Sequence, residues 1–218
     1  TRYWRDWSSD VCSSDLETGG ATINYESQLD SAFAFYNRLG VDVVKTGYVS
    51  ALLDHKEKHS SQYGVRHYRK VIETAARYRI MIDNHEPAMP TGLQRTYPNL
   101  MTQEGVRGQE YNAWSADGGN PPEHTTIIPF TRGLAGPMDF TPAIFNFENP
   151  VFPNTRPQTT LAKQLAEFVV LYSPLQMAAD MIENYENNPA FEFITSCPTN
   201  WSKTVVPDAE IGEYVTIA

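Results

Sequence analysis

Residues 80–91 read IMIDNHEPAMPT. An apolar run, Ile80-Met81-Ile82, drives into Asp83, His85 and Glu86, and two prolines, Pro87 and Pro90, stop it. Proline has no N–H for a strand ladder, so the chain cannot continue as a paired strand there. Two readings suit this pattern. The run is a buried strand that surfaces into a polar loop, or it is a strand that delivers a carboxylate to the mouth of a parallel barrel, where functional groups gather.

The upstream chain favours a parallel arrangement. In NYESQLDSAFAFYNRLG (24–40), Leu29, Ala32, Phe33, Tyr36 and Leu39 recur at helical spacing and Gly40 ends the run. VDVVKTGYV (41–49) reads as a buried strand. In YGVRHYRKVIETAARYR (63–79), Val65, Tyr68, Ile72, Ala75 and Ala76 are placed on one helical face. The order is helix, strand, helix, strand, with strands that are apolar throughout rather than alternating. That is the signature of an α/β protein whose parallel sheet is covered by helices. Downstream, residues 87–158 read as loop-rich, broken by short apolar pieces such as TTIIPF (125–130). Residues 159–181 read as a helix with Thr159 or Thr160 as N-cap and a kink or break at Pro174. The final GEYVTIA alternates like a strand.

Bulk properties narrow the function. The chain has 218 residues and a net charge of −9, which argues against nucleic acid as a partner. No apolar run is long enough to cross a membrane as a helix. Two cysteines, Cys12 and Cys197, form neither a disulfide framework nor a zinc pattern. Residues 1–16, TRYWRDWSSDVCSSDL, carry no helical or strand period and no signal-peptide core. Their DWSSDVCSSDL resembles a translated sequencing adapter, so Trp4, Trp7 and Cys12 are set aside. On this reading the chain is a fragment of a protein that starts upstream of Glu17, and its native sequence is read from Glu17 onward.

Four carboxylates fall where strand-end loops are expected: Glu17 in ETGG, Glu86 in NHEP, and Glu104 and Glu110 in MTQEGVRGQEY. Two chemistries suit such a set. A pair of carboxylates can divide into general acid and general base for glycoside hydrolysis. Carboxylates from separate loops can also hold Ca²⁺, a hard cation that prefers oxygen. An EF-hand loop, HExxH, GxSxG, GxxxxGK[ST] and GxGxxG are all missing from the sequence.

At this point four stretches carry a specific likeness: ETGGATINYESQLDSAFAFYNRLGVDVVKTGYVS, DNHEPAMPTGLQRTYPNLMTQEGVRGQEYNAW, PFTRGLAGPMDFTPAIF and QLAEFVVLYSPLQMAADMIENY. In this order they resemble the catalytic domain of glycoside hydrolase family 97, in particular its calcium-dependent α-glucosidases. The resemblance implies a (β/α)8 barrel flanked by an N-terminal β-sandwich and a C-terminal β-sheet domain. Residues 17–205 would be a partial barrel from roughly the third strand onward, and 206–218 the start of the C-terminal domain. It implies Glu110 as general acid, Glu86 and Glu17 as base carboxylates that activate water, and Glu86 and Glu104 as Ca²⁺ ligands. Periplasmic or secreted location is also implied by the resemblance alone.

One departure is informative. Retaining members of the family carry an Asp nucleophile at a strand end where this sequence reads VVKTGYVS, with Gly47 at the matching place. The resemblance therefore implies an inverting α-glucosidase acting on starch-derived oligosaccharides. The alternatives are a retaining-type α-galactosidase of the same family, or a carbohydrate-binding fragment without activity. His85, Asp139 and Trp114 are weaker candidates for substrate contact. Arg95 and Arg107 are candidates to pair with the clustered glutamates, and Lys45, in an apolar strand run, calls for a carboxylate partner. Glu148 is not expected to have a chemical role, and Cys197 reads as a small hydrophobe.

Overall fold

The computed structural model describes residues 19–218. Glu17, Trp4, Trp7 and Cys12 lie outside the described residues. The chain divides into two compact units between Gly105 and Val106.

The first unit is a mixed α/β structure: α1 (Thr22–Arg38), β1 (Val43–Thr46), α2 (Gln62–Arg77), β2 (Met81–Asn84) and β3 (Leu100–Gln103). Its three strands form one parallel sheet in the order β1-β2-β3. The register pairs Val44 with Ile82, Lys45 with Asp83 and Thr46 with Asn84. A register shift between Ile82 and Asp83 interrupts the β2–β3 ladder, after which Asp83 pairs with Thr102 and Asn84 with Gln103. Both helices press onto the sheet. Leu29 and Phe33 of α1, Val44 and Ile82 of the sheet, and Val71, Ile72 and Ala75 of α2 share one buried core.

The helical expectations need two corrections. Leu39 is 62% exposed, because it is the C-cap of α1 and the chain leaves the helix there into Gly40 at φ 76°. The buried face of α2 is Gly64, His67, Tyr68, Val71, Ile72, Thr74 and Ala75, while Val65 and Ala76 face solvent. The amphipathic stripe thus includes polar groups that hydropathy alone excludes. Ser61 caps α2, its side-chain oxygen accepting from the Gly64 N–H at 3.2 Å.

Strand β3 is a further correction, since it lies within the stretch read as loop. Four residues, LMTQ, cannot declare themselves as a strand in isolation. They become one because β2 offers a ladder beside them: the Ile82 N–H donates to the Asn99 carbonyl at 2.7 Å and the Glu104 N–H to the Asn84 carbonyl at 2.8 Å.

The second unit contains α3 (Tyr111–Trp114), α4 (His124–Ile127), α5 (Leu161–Val170), α6 (Ile182–Tyr185), α7 (Phe191–Ser196) and a hairpin of β4 (Asp208–Glu210) and β5 (Tyr214–Thr216). Helix α5 begins at its expected cap, with Thr160 accepting from the Lys163 N–H at 3.2 Å. It stops at Val170, well short of 181. Pro174 explains the position, since its ring would clash with the carbonyl four residues earlier, that of Val170. The helix ends rather than kinks. Among the described residues no helix is long and apolar enough to cross a membrane.

Candidate active site at the strand ends

Parallel strands finish on the same side of their sheet, so the residues that follow β1, β2 and β3 gather there. They are Gly47-Tyr48, His85-Glu86 and Glu104. The ladder runs one step past the strands and holds two of them: the His85 N–H donates to the Thr46 carbonyl at 2.7 Å, and the Glu104 N–H to Asn84.

Glu86 then turns out of the sheet with φ 48°. A residue with a Cβ resists this left-handed conformation by roughly 1–2 kcal/mol, so its surroundings must impose it. Three hydrogen bonds do so. The Glu86 N–H donates to Glu104 Oε2 at 2.9 Å. The Tyr68 hydroxyl donates to the Glu86 carbonyl at 2.6 Å. The Tyr48 N–H donates to Glu86 Oε2 at 2.6 Å. His85 lies between two carboxylates, with Nδ1 3.7 Å from Glu104 Oε2 and Nε2 3.6 Å from Asp83 Oδ2. Asp83 is fully buried, and His85 and Glu104 are nearly so.

His85, Glu86 and Glu104 each offer one ligand atom, all within 4.8 Å of one another. Two carboxylates from separate strand ends fit a hard divalent cation, and Ca²⁺ would need further oxygens to reach its usual six to eight. The imidazole is the less suitable donor for such an ion.

Around this cluster is an aromatic and histidine layer of which the sequence reading singled out only Tyr68, as a core residue. Tyr48 is fully buried, its hydroxyl 2.6 Å from His67 Nε2. Burial lowers the His67 pKa to about 4, so the ring is neutral near pH 7. Burial, then the Glu86 and Glu104 charges, raise the Tyr68 phenol well above its ordinary value, so it keeps the proton it donates. The signal available in the sequence was the pair His67-Tyr68 on the same stripe as Val71 and Ile72.

The second unit carries Glu110, Trp114 and Asp139. Glu110 is the half-buried N-cap residue of α3, its carbonyl accepting from the Ala113 N–H at 2.8 Å. Trp114 is 36% exposed and its ring centroid lies 4.5 Å from that of Tyr111. Asp139 is buried between Met138 and Phe140. Glu148 is exposed in an irregular segment. Arg107 corrects its expectation of pairing with the clustered glutamates. Its guanidinium donates to Asp117 at 2.7 Å, to Ser115 at 3.0 Å and to Asn120 at 2.7 Å, and lies 4.6 Å over the Tyr111 ring. Arg107, and then Ser115, hold the Asp117 carboxyl well below the usual carboxylate range. Arg95 is exposed in the Leu93–Arg95 turn.

The Glycoside hydrolase 97 family model matches residues 3–106, a span that contains all three parallel strands and the cluster that follows them. The chain belongs to glycoside hydrolase family 97. It is 31% identical over 200 residues to a retaining alpha-galactosidase of Bacteroides thetaiotaomicron, covering 89% of this chain and 29% of that protein. It is 47% identical to a family 97 enzyme of Pseudoalteromonas sp. strain K8 solved in complex with panose, with a TM-score of 0.84 over 91% of this chain and 32% of that one. The same bacterium's family 97 enzyme in complex with acarbose is 48% identical, with a TM-score of 0.83 over 89% of this chain and 31% of that one. The chain therefore spans less than a third of the length of these relatives.

Proposed function

We propose that this protein is a glycoside hydrolase that releases glucose from the non-reducing ends of α-glucosidic oligosaccharides with inversion of configuration. The observation that carries the proposal is Gly47. It follows β1 directly, in the place where the retaining members of the family carry their nucleophile, and it has no side chain with which to attack carbon. Higher identity to the enzymes solved with panose and acarbose than to the alpha-galactosidase supports a glucoside substrate. The galactosidase reading would need a carboxylate at position 47.

In this reading the β1, β2 and β3 units are consecutive pieces of a (β/α)8 barrel, and the hairpin at 208–216 begins the C-terminal β domain. Glu110 gives its proton to the glycosidic oxygen. Glu86, with Glu17, takes a proton from the attacking water. The Tyr48 N–H, which donates to Glu86 Oε2, orients the carboxylate for that step. Inversion requires room for water between acid and base carboxyls, roughly 6.5–9.5 Å apart. Glu86 and Glu104 would hold Ca²⁺, which when bound supplies positive charge beside the base carboxylates and the sugar oxygens.

The test is proton NMR of the sugar first released from an α-glucoside by the complete protein. The expected product is β-glucose, appearing before mutarotation. Initial α-glucose would mean retention and would remove the argument from Gly47. A Glu86→Gln variant should lose most turnover, and near-normal turnover would exclude Glu86 as base.

A further inference from the structure

Glu86 is held in an unfavourable backbone conformation just past β2, and just past the neighbouring β1 stands Gly47, a residue with no side chain to stiffen that strand end. Something must supply the rigidity that these two residues lack. We propose that His67 and Tyr68, neighbours on α2, are positioning residues that fix the carboxylate of Glu86. The proposal rests on the reading of Glu86 as the base.

The two residues act by different routes. Tyr68 reaches Glu86 directly, its hydroxyl donating to the Glu86 carbonyl at 2.6 Å. With the Glu86 N–H bound to Glu104, the backbone polar groups on both sides of the Glu86 Cα are tied, which sets the direction of its side chain. His67 works through Tyr48. His67 Nε2 meets the Tyr48 hydroxyl at 2.6 Å, and the two rings cross edge to face with centroids 4.9 Å apart. The Tyr48 ring also crosses the Tyr68 ring, at 5.3 Å and 83°. A fully buried ring packed on two sides restrains the residue that carries it, and with it the backbone N–H. That N–H is the donor to Glu86 Oε2.

A single turn of helix thus anchors the Glu86 carbonyl and the donor to its carboxylate. His67 is 1% and Tyr68 5% exposed, which leaves no face for a sugar, so neither is a catalytic residue. His59 adds a further contact, with Nδ1 2.8 Å from the Tyr68 hydroxyl and Nε2 2.8 Å from the Ser50 carbonyl.

The experiment uses the complete protein with ¹⁵N-tyrosine labelling, and compares wild type with Tyr68→Phe and His67→Gln. A short bond from an amide to a carboxylate places the Tyr48 amide proton far downfield. Both variants should move it upfield. Kinetics on an α-glucoside should show kcat lowered by about 10- to 100-fold, the scale of a small misplacement of a reacting group, with KM nearly unchanged. Tyr68→Phe keeps the ring and its packing, so a merely structural role predicts unchanged kcat. An unmoved Tyr48 amide proton or a wild-type kcat in a folded Tyr68→Phe variant would overturn the proposal. If His67→Gln fails to fold, Tyr68→Phe decides alone. If wild-type protein hydrolyses no glucoside, the functional reading fails and the amide proton still decides whether α2 positions Glu86.

Discussion

Glu167 makes a sharp test of the electrostatics of the second unit. It lies on α5, is 3% exposed, and accepts from Gln164 Nε2 at 2.8 Å. Burial raises its pKa from 4.5 to about 7, with Lys163, Thr125 and Gln164 pulling the other way. The sign follows from proton binding. Between those two values the folded protein holds a proton that the unfolded chain has released, so stability falls as pH rises. The contribution is fully present below pH 4.5 and is lost as pH rises through about 7. Each pH unit of separation corresponds to roughly 1.4 kcal/mol, so the cost of carrying this carboxylate at pH 8 is about 3 kcal/mol. Gln109 Nε2 and the Ile144 N–H both donate to Gln164 Oε1, at 2.7 and 2.9 Å, which leaves the Gln164 amide nitrogen facing Glu167. In Glu167→Gln the new carbonyl oxygen accepts that same bond without a charge. Urea unfolding of both proteins at pH 5 and pH 8 measures the effect. The variant should gain about 2–3 kcal/mol over wild type between the two pH values, because a small part of the change lies below pH 5. An equal difference at both would show that the site is hydrated and ionises freely, and the burial argument would fail.

Two further outcomes are expected. His67 behaves oppositely to Glu167: its pKa is lowered from 6.5 to about 4 by burial, so the unfolded chain takes up a proton first. Its share of stability is complete above pH 6.5 and falls by about 3 kcal/mol as pH drops to 4. In urea unfolding over that range, His67→Gln should remove this loss, and an unchanged slope would contradict it. Gly64→Ala should destabilise, although Ala normally favours a helix by ~1 kcal/mol. An added Cβ would lie 2.2 Å from the His59 carbonyl oxygen, closer than any atom tolerates. Displacing that backbone costs about 1–3 kcal/mol, measurable by denaturant midpoint, and a stabilised variant would refute the close approach.

How far each feature was legible depended on how local its cause is. The helical spacing of Leu29 and Phe33 and the cap at Thr160 are properties of short segments, and helix and cap chemistry act within a few residues. The stop at Pro174 was legible, though the helix ends at Val170, because the clash acts backward by one turn. The burial of Thr74 was not legible, and that of His67 only through its place on the stripe of Val71 and Ile72, since hydropathy assigns polar groups to solvent and only partners across the core reverse that.

The sequence by itself determined the helix–strand alternation, the carboxylate that ends β2 and the absence of one at position 47, because these are matters of residue identity and local pattern. Only the tertiary structure decided that LMTQ is a strand, that Glu104 and Glu86 meet, and that Tyr68 of α2 donates to the Glu86 carbonyl. The physical reason is that a four-residue strand and a left-handed glutamate are unstable alone. Each exists through hydrogen bonds to segments 18 to 38 residues away, as in Glu86 to Glu104 and Tyr48 to Glu86.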